Sequence, residues 1–426
     1  MKILIKNVEL YSDKKNGLYN ILIEDKYIKS ITTKMPNDFE ADKIIDGKNK
    51  IAFPGMVNTH THAAMTLLRS YADDMVLMDW LEKKIWPAEA NLTADDIYYG
   101  TKLAIIEMIK TGTTTFADMY FEMDHVAKAV SETGIRASLS RGLIGLTPDA
   151  DEKLEENATL YKDWHNSCDG RIQVRFGPHA PYTCPVGYLK KVIKTAQQLD
   201  AGIHMHLSET AFEVDTTIKE HGMTPIALMD SLGMFESSTL AAHAVHVTNE
   251  DIDIMANKNV CVAHNPQSNL KLASGIAPVE KMLAKGILVG LGTDGASSNN
   301  NLNMLEEVRL AAMLHKNKLG DPLIIPATEA LKMGTVYGAK ALGFEKLGEL
   351  IQGNLADIVL YDMNNSTWFP RHDRTSLFVY SANATEADTV LINGRVVMEN
   401  KNLLTIDEEA IYYEANNRGL KLIEKH

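Results

Sequence analysis

Two histidines, His60 and His62, close the run Asn58-Thr-His-Thr-His62. On extended backbone, side chains two apart point to the same side, so both imidazoles can reach one metal ion. A second run, Ile203-His-Met-His206-Leu-Ser-Glu209, supplies another imidazole and, three residues on, a carboxylate. His204 alternates onto the same side as His206 but one layer deeper, and reads as a core histidine. Two more apolar runs end in polar groups: Leu240-Ala-Ala-His243, and Val289-Gly-Leu-Gly-Thr-Asp294, where a carboxylate buried without a partner would be costly. Nitrogen and oxygen donors of this kind suit zinc or another divalent transition metal.

These residues need elements to hold them. Between Phe53 and Leu347 short apolar runs alternate with polar loops and segments of helical period. The runs Gly55–Asn58, Thr114–Asp118, Arg136–Ser140, Ile172–Phe176, Ile203–His206, Thr239–His243, Val260–Ala263 and Leu288–Gly292 read as eight strands. Eight βα units predict a (β/α)8 barrel, whose reactive groups sit at the C-terminal strand ends, where the histidines and Asp294 fall. A doubly wound sheet would need a glycine-rich phosphate turn after an early strand, and none is present. Short strands fill the first fifty residues and return near the C-terminus, where Asn393-Gly394 between two apolar runs is a hairpin turn signal. Neither set makes a good core alone, so the two are expected to form one small discontinuous β-sandwich from residues 1–52 and 348–406, with the barrel at 53–347 inserted between them. Residues 407–426 read as a charged amphipathic helix, with Asp407–Lys425 as a solvated edge element.

Composition narrows the function classes. With 56 acidic and 43 basic residues the formal net charge is -13, which argues against a broad grip on nucleic acid or an acidic membrane. A small nucleotide-like ligand is compatible with that charge. Three separated cysteines, Cys168, Cys184 and Cys261, form neither a disulfide scaffold nor a CxxC pair and fit a reducing cytoplasm. No apolar run reaches the roughly 18 residues of a membrane span, and the start lacks a signal peptide's apolar stretch, so the mature chain is expected to begin at Met1. The 20 methionines are scattered through apolar segments and read as core filler.

Taken together, Pro54-Gly-Met-Val-Asn-Thr-His-Thr-His62, His206-Leu-Ser-Glu209, Ala242-His243, His264-Asn-Pro266 and Gly292-Thr-Asp-Gly295 resemble the deaminase branch of the amidohydrolase superfamily. Trp80-Leu81, Ile85-Trp-Pro-Ala-Glu89, Gly177-Pro-His-Ala-Pro-Tyr182 and the run from His264 to Pro278 are similar to the 5′-methylthioadenosine/S-adenosylhomocysteine deaminases within it. The resemblance covers essentially the whole chain.

It implies one zinc per subunit, or another divalent transition metal, held by His60, His62, His206 and Asp294. Two-metal members usually carry a bridging lysine after the fourth strand; here that strand runs from Arg171 to Phe176 into Gly-Pro-His179 without one. The implied activity is hydrolytic deamination of the adenine of S-adenosylhomocysteine or 5′-methylthioadenosine, with adenosine and 5′-deoxyadenosine as further substrates. The same chemistry on guanine, cytosine or an s-triazine is the competing reading, and a barrel without catalysis the remote one. Glu209 takes the role of general acid to the ring, Asp294 accepts a proton from the attacking water, and His243 orients that water. Around the substrate, the resemblance implies Glu89 at the ribose hydroxyls, Arg141 at the homocysteine carboxylate, His179 at a purine edge, Trp80 and Trp86 as pocket walls and Ser298 nearby. Lys153 lies in the charged stretch DEKLEE and reads as solvated or as an aid to Arg141. His246 and His264 read as structural. A homo-oligomer is compatible with the family, in which loops near the site often meet a neighbouring subunit.

Overall fold

Eight parallel strands close on themselves at the centre of the molecule: Met56–Thr61, Thr113–Tyr120, Arg136–Leu143, Ile172–Pro178, Gly202–Leu207, Thr239–His243, Cys261–His264 and Val289–Leu291. These are the eight runs read from the sequence, each within a few residues of its expected bounds. The structure is a computed structural model describing residues 1–12, 17–34 and 39–424. Strands one to three are buried at every position, as expected where helices cover a parallel sheet. The closing contact pairs Leu291 of the eighth strand with Asn58 of the first. It is tight at Gly292, where a Cβ would lie 2.8 Å from the His60 nitrogen and 2.4 Å from Asn265 Oδ1. Only glycine lets the eighth strand pass so close, and that approach delivers Asp294 beside His60.

Both termini build a second, mixed sheet of nine strands. Its path runs Asn402–Leu403, Arg395–Glu399, Ala387–Ile392, Ile358–Asp362, Lys50–Pro54, Lys2–Leu10, Tyr19–Glu24 and Tyr27–Thr32, with Lys43–Asp46 also on Lys2–Leu10. The expected sandwich is therefore one continuous sheet folded on itself. The long strand Lys2–Leu10 changes partner along its length, from Lys43–Asp46 to Lys50–Pro54, across Asn7, which sits at φ 56°. The two arms then enclose one apolar cluster that includes Ile3, Ile5, Ile21 and Ile23 from one side and Ala52, Ile358, Leu360 and Leu391 from the other. Asn393 and Gly394, at φ 52° and 71°, form the anticipated hairpin turn between Ala387–Ile392 and Arg395–Glu399.

Barrel and sheet are joined by a fully buried ion pair. Arg136, at the start of the third barrel strand, donates from Nε and Nη2 to Asp357 at 3.2 and 2.9 Å, and Nη2 also reaches Asn393 Oδ1 at 3.1 Å.

The tail helix is Glu408–Ile423, capped by the Asp407 side chain on the Ala410 N–H; Lys425 and His426 lie outside the described residues. It is docked rather than merely solvated. Ile411, Ala415 and Leu422 are buried, and Lys110–Glu408 and Arg418–Asp96 pairs at 2.6 and 2.8 Å tie it to the helix Ala94–Lys110. Among the described residues no helix is long and apolar enough to cross a membrane.

Candidate active site

At the C-terminal mouth of the barrel the ligand nitrogens of His60, His62 and His206 lie within 4.8 Å of one another, as do the ligand atoms of His60, His243 and Asp294. The first barrel strand carries His60, with His62 immediately after its end, and the fifth carries His206. His243 ends the sixth strand and Asp294 follows the eighth, both at positive φ (72° and 61°), where the chain leaves its strand sharply.

Each imidazole is anchored through Nδ1, which turns Nε2 inward. His62 Nδ1 donates to the Met119 carbonyl at 2.6 Å, and His206 Nδ1 to the His179 carbonyl at 2.7 Å. His243 Nδ1 donates to Asn269 Oδ1 at 2.8 Å. His60 Nδ1 lies 2.9 Å from His204 Nε2. His204 thus does more than fill the core, because its ring fixes the orientation of a neighbour at the mouth. Alternation had put it on the correct side, and the signal that could have identified its role was its lying one layer below a histidine cluster. Asp294 Oδ1 sits 3.3 Å from His62 Nε2 and 3.5 Å from His60 Nε2, while Oδ2 accepts from Ser268 at 2.6 Å and Ser298 at 3.1 Å.

These residues fit a metal ion. His60 Nε2 is buried with no hydrogen-bond partner, an arrangement that costs stability unless a cation takes the lone pair. Secondary anchoring of every imidazole is the usual companion of metal ligation. Burial alone would raise the Asp294 carboxyl, yet the His60 and His62 imidazoles hold it well below the usual range. Burial keeps His206 and His204 well below the ordinary histidine value, neutral and able to donate a lone pair.

One cavity opens over this cluster, bordered by His62, His206, His243 and Asp294 and walled by Trp80, Trp86, Phe121 and Tyr182. Glu209, 7% exposed, points into it with Oε2 3.8 Å from His243 Nε2, and burial raises its carboxyl above the ordinary value. His179 lines the cavity with Nδ1 2.9 Å from Thr183 Oγ1, and burial lowers it to about 4. Glu89 arrives on the helical turns Leu77–Trp80, Leu81–Ile85 and Trp86–Glu89. Burial lifts its carboxyl to about 7 against the pull of the Tyr120 hydroxyl, which donates to Oε1 at 2.6 Å. Tyr120 went unnoticed in the sequence, since a tyrosine at a strand end carries no spacing signal. Trp80 and Ser298 both border the cavity; Trp80 Nε1 is tied to the Ala72 carbonyl at 3.0 Å.

One expected substrate contact, Arg141, is engaged elsewhere, and Lys153 makes a local ion pair. The Arg141 guanidinium does not border the cavity: Nε donates to Glu156 at 2.9 Å, Nη1 to the Gly142 carbonyl at 2.7 Å, and the group lies 5.4 Å from the Phe121 ring centre. Lys153 pairs with Asp149 one helical turn away at 2.8 Å. His246 bonds the Ser274 carbonyl, and His264 faces His315 with their Nε2 atoms 3.4 Å apart.

A closed βα barrel with a histidine and aspartate cluster at its C-terminal mouth defines a metal-dependent hydrolase. Residues 51–397 match the amidohydrolase family, and the chain belongs to that family. It is 55% identical over its whole length to a protein of equal coverage from Dictyoglomus thermophilum named 5-methylthioadenosine/S-adenosylhomocysteine deaminase, and 49% identical over the full length of both chains to one of the same name from Thermoanaerobacter pseudethanolicus. Among solved structures, an adenosine deaminase from Xanthomonas campestris with bound zinc superposes with a TM-score of 0.94 at 32% identity, covering 99% of this chain and 98% of that one. Atrazine chlorohydrolase from Arthrobacter aurescens with zinc does so at 0.90 and 25%, covering 98% and 100%.

Proposed function

We propose that the chain deaminates the adenine ring of 5′-methylthioadenosine and S-adenosylhomocysteine, replacing the 6-amino group by oxygen to give the hypoxanthine product and ammonia. One observation carries this reading. A buried carboxyl beside the histidine cluster (Glu209) and a second, half-buried carboxyl held by a tyrosine (Glu89) border the same aromatic-walled cavity. The first suits a ring nitrogen and the second suits vicinal hydroxyls, so together they select a nucleoside over a bare base. Names of relatives across the full chain length agree with it.

His60, His62, His206 and Asp294 would hold the metal, and zinc suits their nitrogen and oxygen donors. Such an ion supplies Lewis acidity that lets water act as a nucleophile near neutral pH. Asp294 accepts a proton as water adds to C6, and the Ser268 and Ser298 hydroxyls on Oδ2 together with the Gly295 N–H on Oδ1 fix the orientation of its carboxylate. Glu209, whose carboxyl burial favours in the protonated form, donates to N1 as charge develops there. His243, fixed by Asn269, orients the nucleophile and passes the proton taken from water toward the departing amine; the C6–N6 bond breaks with loss of ammonia, and the remaining hydroxyl proton returns to Glu209 as the C6 carbonyl forms. Trp80, Trp86 and Phe121 offer flat apolar faces to the purine and exclude water. His179 contacts the purine edge, and Glu89 accepts from the ribose. Arg141 serves a substrate carboxylate only by exchanging Glu156 for it.

The test is a panel of 5′-methylthioadenosine, S-adenosylhomocysteine and adenosine with zinc-loaded protein, followed by the ultraviolet change of adenine to hypoxanthine and by ammonia release. Reaction of guanine or an s-triazine with none of the three nucleosides converted would overturn the reading.

A further inference from the structure

Beneath the cavity floor lies a carboxylate that the proposed reaction does not use. Glu213, in the first turn of the helix Ala211–His221, is 1% exposed and does not border the cavity. Its side chain reaches back past the helix cap Thr210, with Oε1 accepting the Ser208 N–H at 2.7 Å and Oε2 the Glu209 N–H at 3.0 Å. One carboxylate thus grips two successive peptide groups. The residue between His206-Leu207 and Glu209 needs such a grip: Ser208 sits at φ 54°, a left-handed conformation that serine adopts only when its surroundings impose it. The Ser208 carbonyl is held too, accepting the N–H groups of Val245 and His246 at 3.0 and 2.8 Å. Ala244 N–H meanwhile bonds the Leu207 carbonyl at 3.1 Å. The turn that aims Glu209 is therefore fastened from below by Glu213 and from the side by the loop that carries His243.

We infer that Glu213 is a positioning residue for the deamination, acting through the Ser208–Glu209 backbone to hold the Glu209 carboxyl toward the ring. The inference rests on the role proposed for Glu209. A carboxylate suits the task because it accepts at both oxygens, whereas an amide at the same place would set an N–H against an N–H.

The experiment is a double-mutant cycle on the metal-loaded protein with 5′-methylthioadenosine, using Glu213→Gln, Glu209→Gln and the two combined, with metal content and thermal midpoint measured on each. Glu213→Gln is expected to retain one metal per chain, to change KM by less than about threefold and to lower kcat by about tenfold or more. In the Glu209→Gln background the same change is expected to cost less than twofold, because the group it positions is gone. A full tenfold loss in that background, a loss that follows metal content, or a rise in KM at unchanged kcat would overturn the assignment. Should Glu213→Gln fail to fold, Glu213→Asp, one methylene shorter, reads the same cycle. If the unaltered protein converts no adenine nucleoside, the proposed function fails by itself, before any variant is compared.

Discussion

His60 and His204 meet ring to ring, Nδ1 to Nε2 at 2.9 Å, so that one histidine of the barrel interior sets the tautomer of another at its mouth. With a metal on the buried Nε2 of His60, Nδ1 carries the proton and donates it to His204 Nε2. His204→Ala removes the acceptor, and the freed His60 ring can rotate or change tautomer. Loss of such a partner typically costs 10- to 100-fold in metal affinity. Titration against a competing chelator checks it, and an unchanged dissociation constant would show that His204 only fills space.

Glu209→Gln keeps the shape of the side chain and removes its acid. General acid catalysis is worth roughly 10²- to 10⁴-fold, so kcat is expected to fall by at least two orders of magnitude with metal content unchanged. Steady-state rates alongside metal analysis decide it.

Glu89 predicts a pH dependence of its own. Burial lifts its carboxyl from 4.5 to about 7, so below pH 7 it is protonated and accepts poorly from ribose hydroxyls, while above pH 7 it is ionised and accepts from both. The kcat/KM for nucleosides should therefore climb through pH 7, and Glu89→Gln should flatten that limb while raising KM. The sign for stability is opposite. A carboxyl held above its unfolded value favours folding at low pH, and that contribution disappears as pH rises from 4.5 through 7. Glu89→Gln is then expected to be more stable than the parent at pH 8, by up to about 3 kcal/mol. Thermal midpoints at pH 5 and pH 8 give the comparison, and an equal difference at both would refute it.

Asp357→Ala leaves the buried Arg136 guanidinium without its carboxylate and weakens the tie between the terminal sheet and the barrel, Asn393 remaining as its other partner in the sheet. Removing one partner of a buried pair costs about 3–5 kcal/mol. Denaturant unfolding should record that loss, whereas kcat at 25 °C in the protein still folded should stay within twofold, because the pair lies at the strand starts and the chemistry at the strand ends.

Much of this was legible in the chain itself. The eight barrel strands announce themselves as short apolar runs because both faces of a parallel barrel are covered, and the mouth histidines show because they interrupt those runs at their ends. What escaped depends on tertiary contact. Tyr120 borders the cavity and holds Glu89, thirty-one residues earlier in the chain. Glu156, in a stretch whose charge suggests simple solvation, occupies the guanidinium of Arg141. Glu213 looks like an ordinary acid in the first turn of a helix until its backbone partners are seen. The tail helix reads as an edge because its charges dominate its composition, although two of them, Glu408 and Arg418, join buried Ile411, Ala415 and Leu422 in docking it.

The strand Lys50–Pro54 lies between Lys2–Leu10, the first strand made, and Ile358–Asp362, made only after the entire barrel. During synthesis from the N-terminus, its edge therefore stands open while the barrel is being translated. An unpaired strand edge is a template for another chain. Nascent chains crowded on one message would then be most exposed to mispairing at this edge, far from any residue that does chemistry, until Ile358–Asp362 is made and closes it.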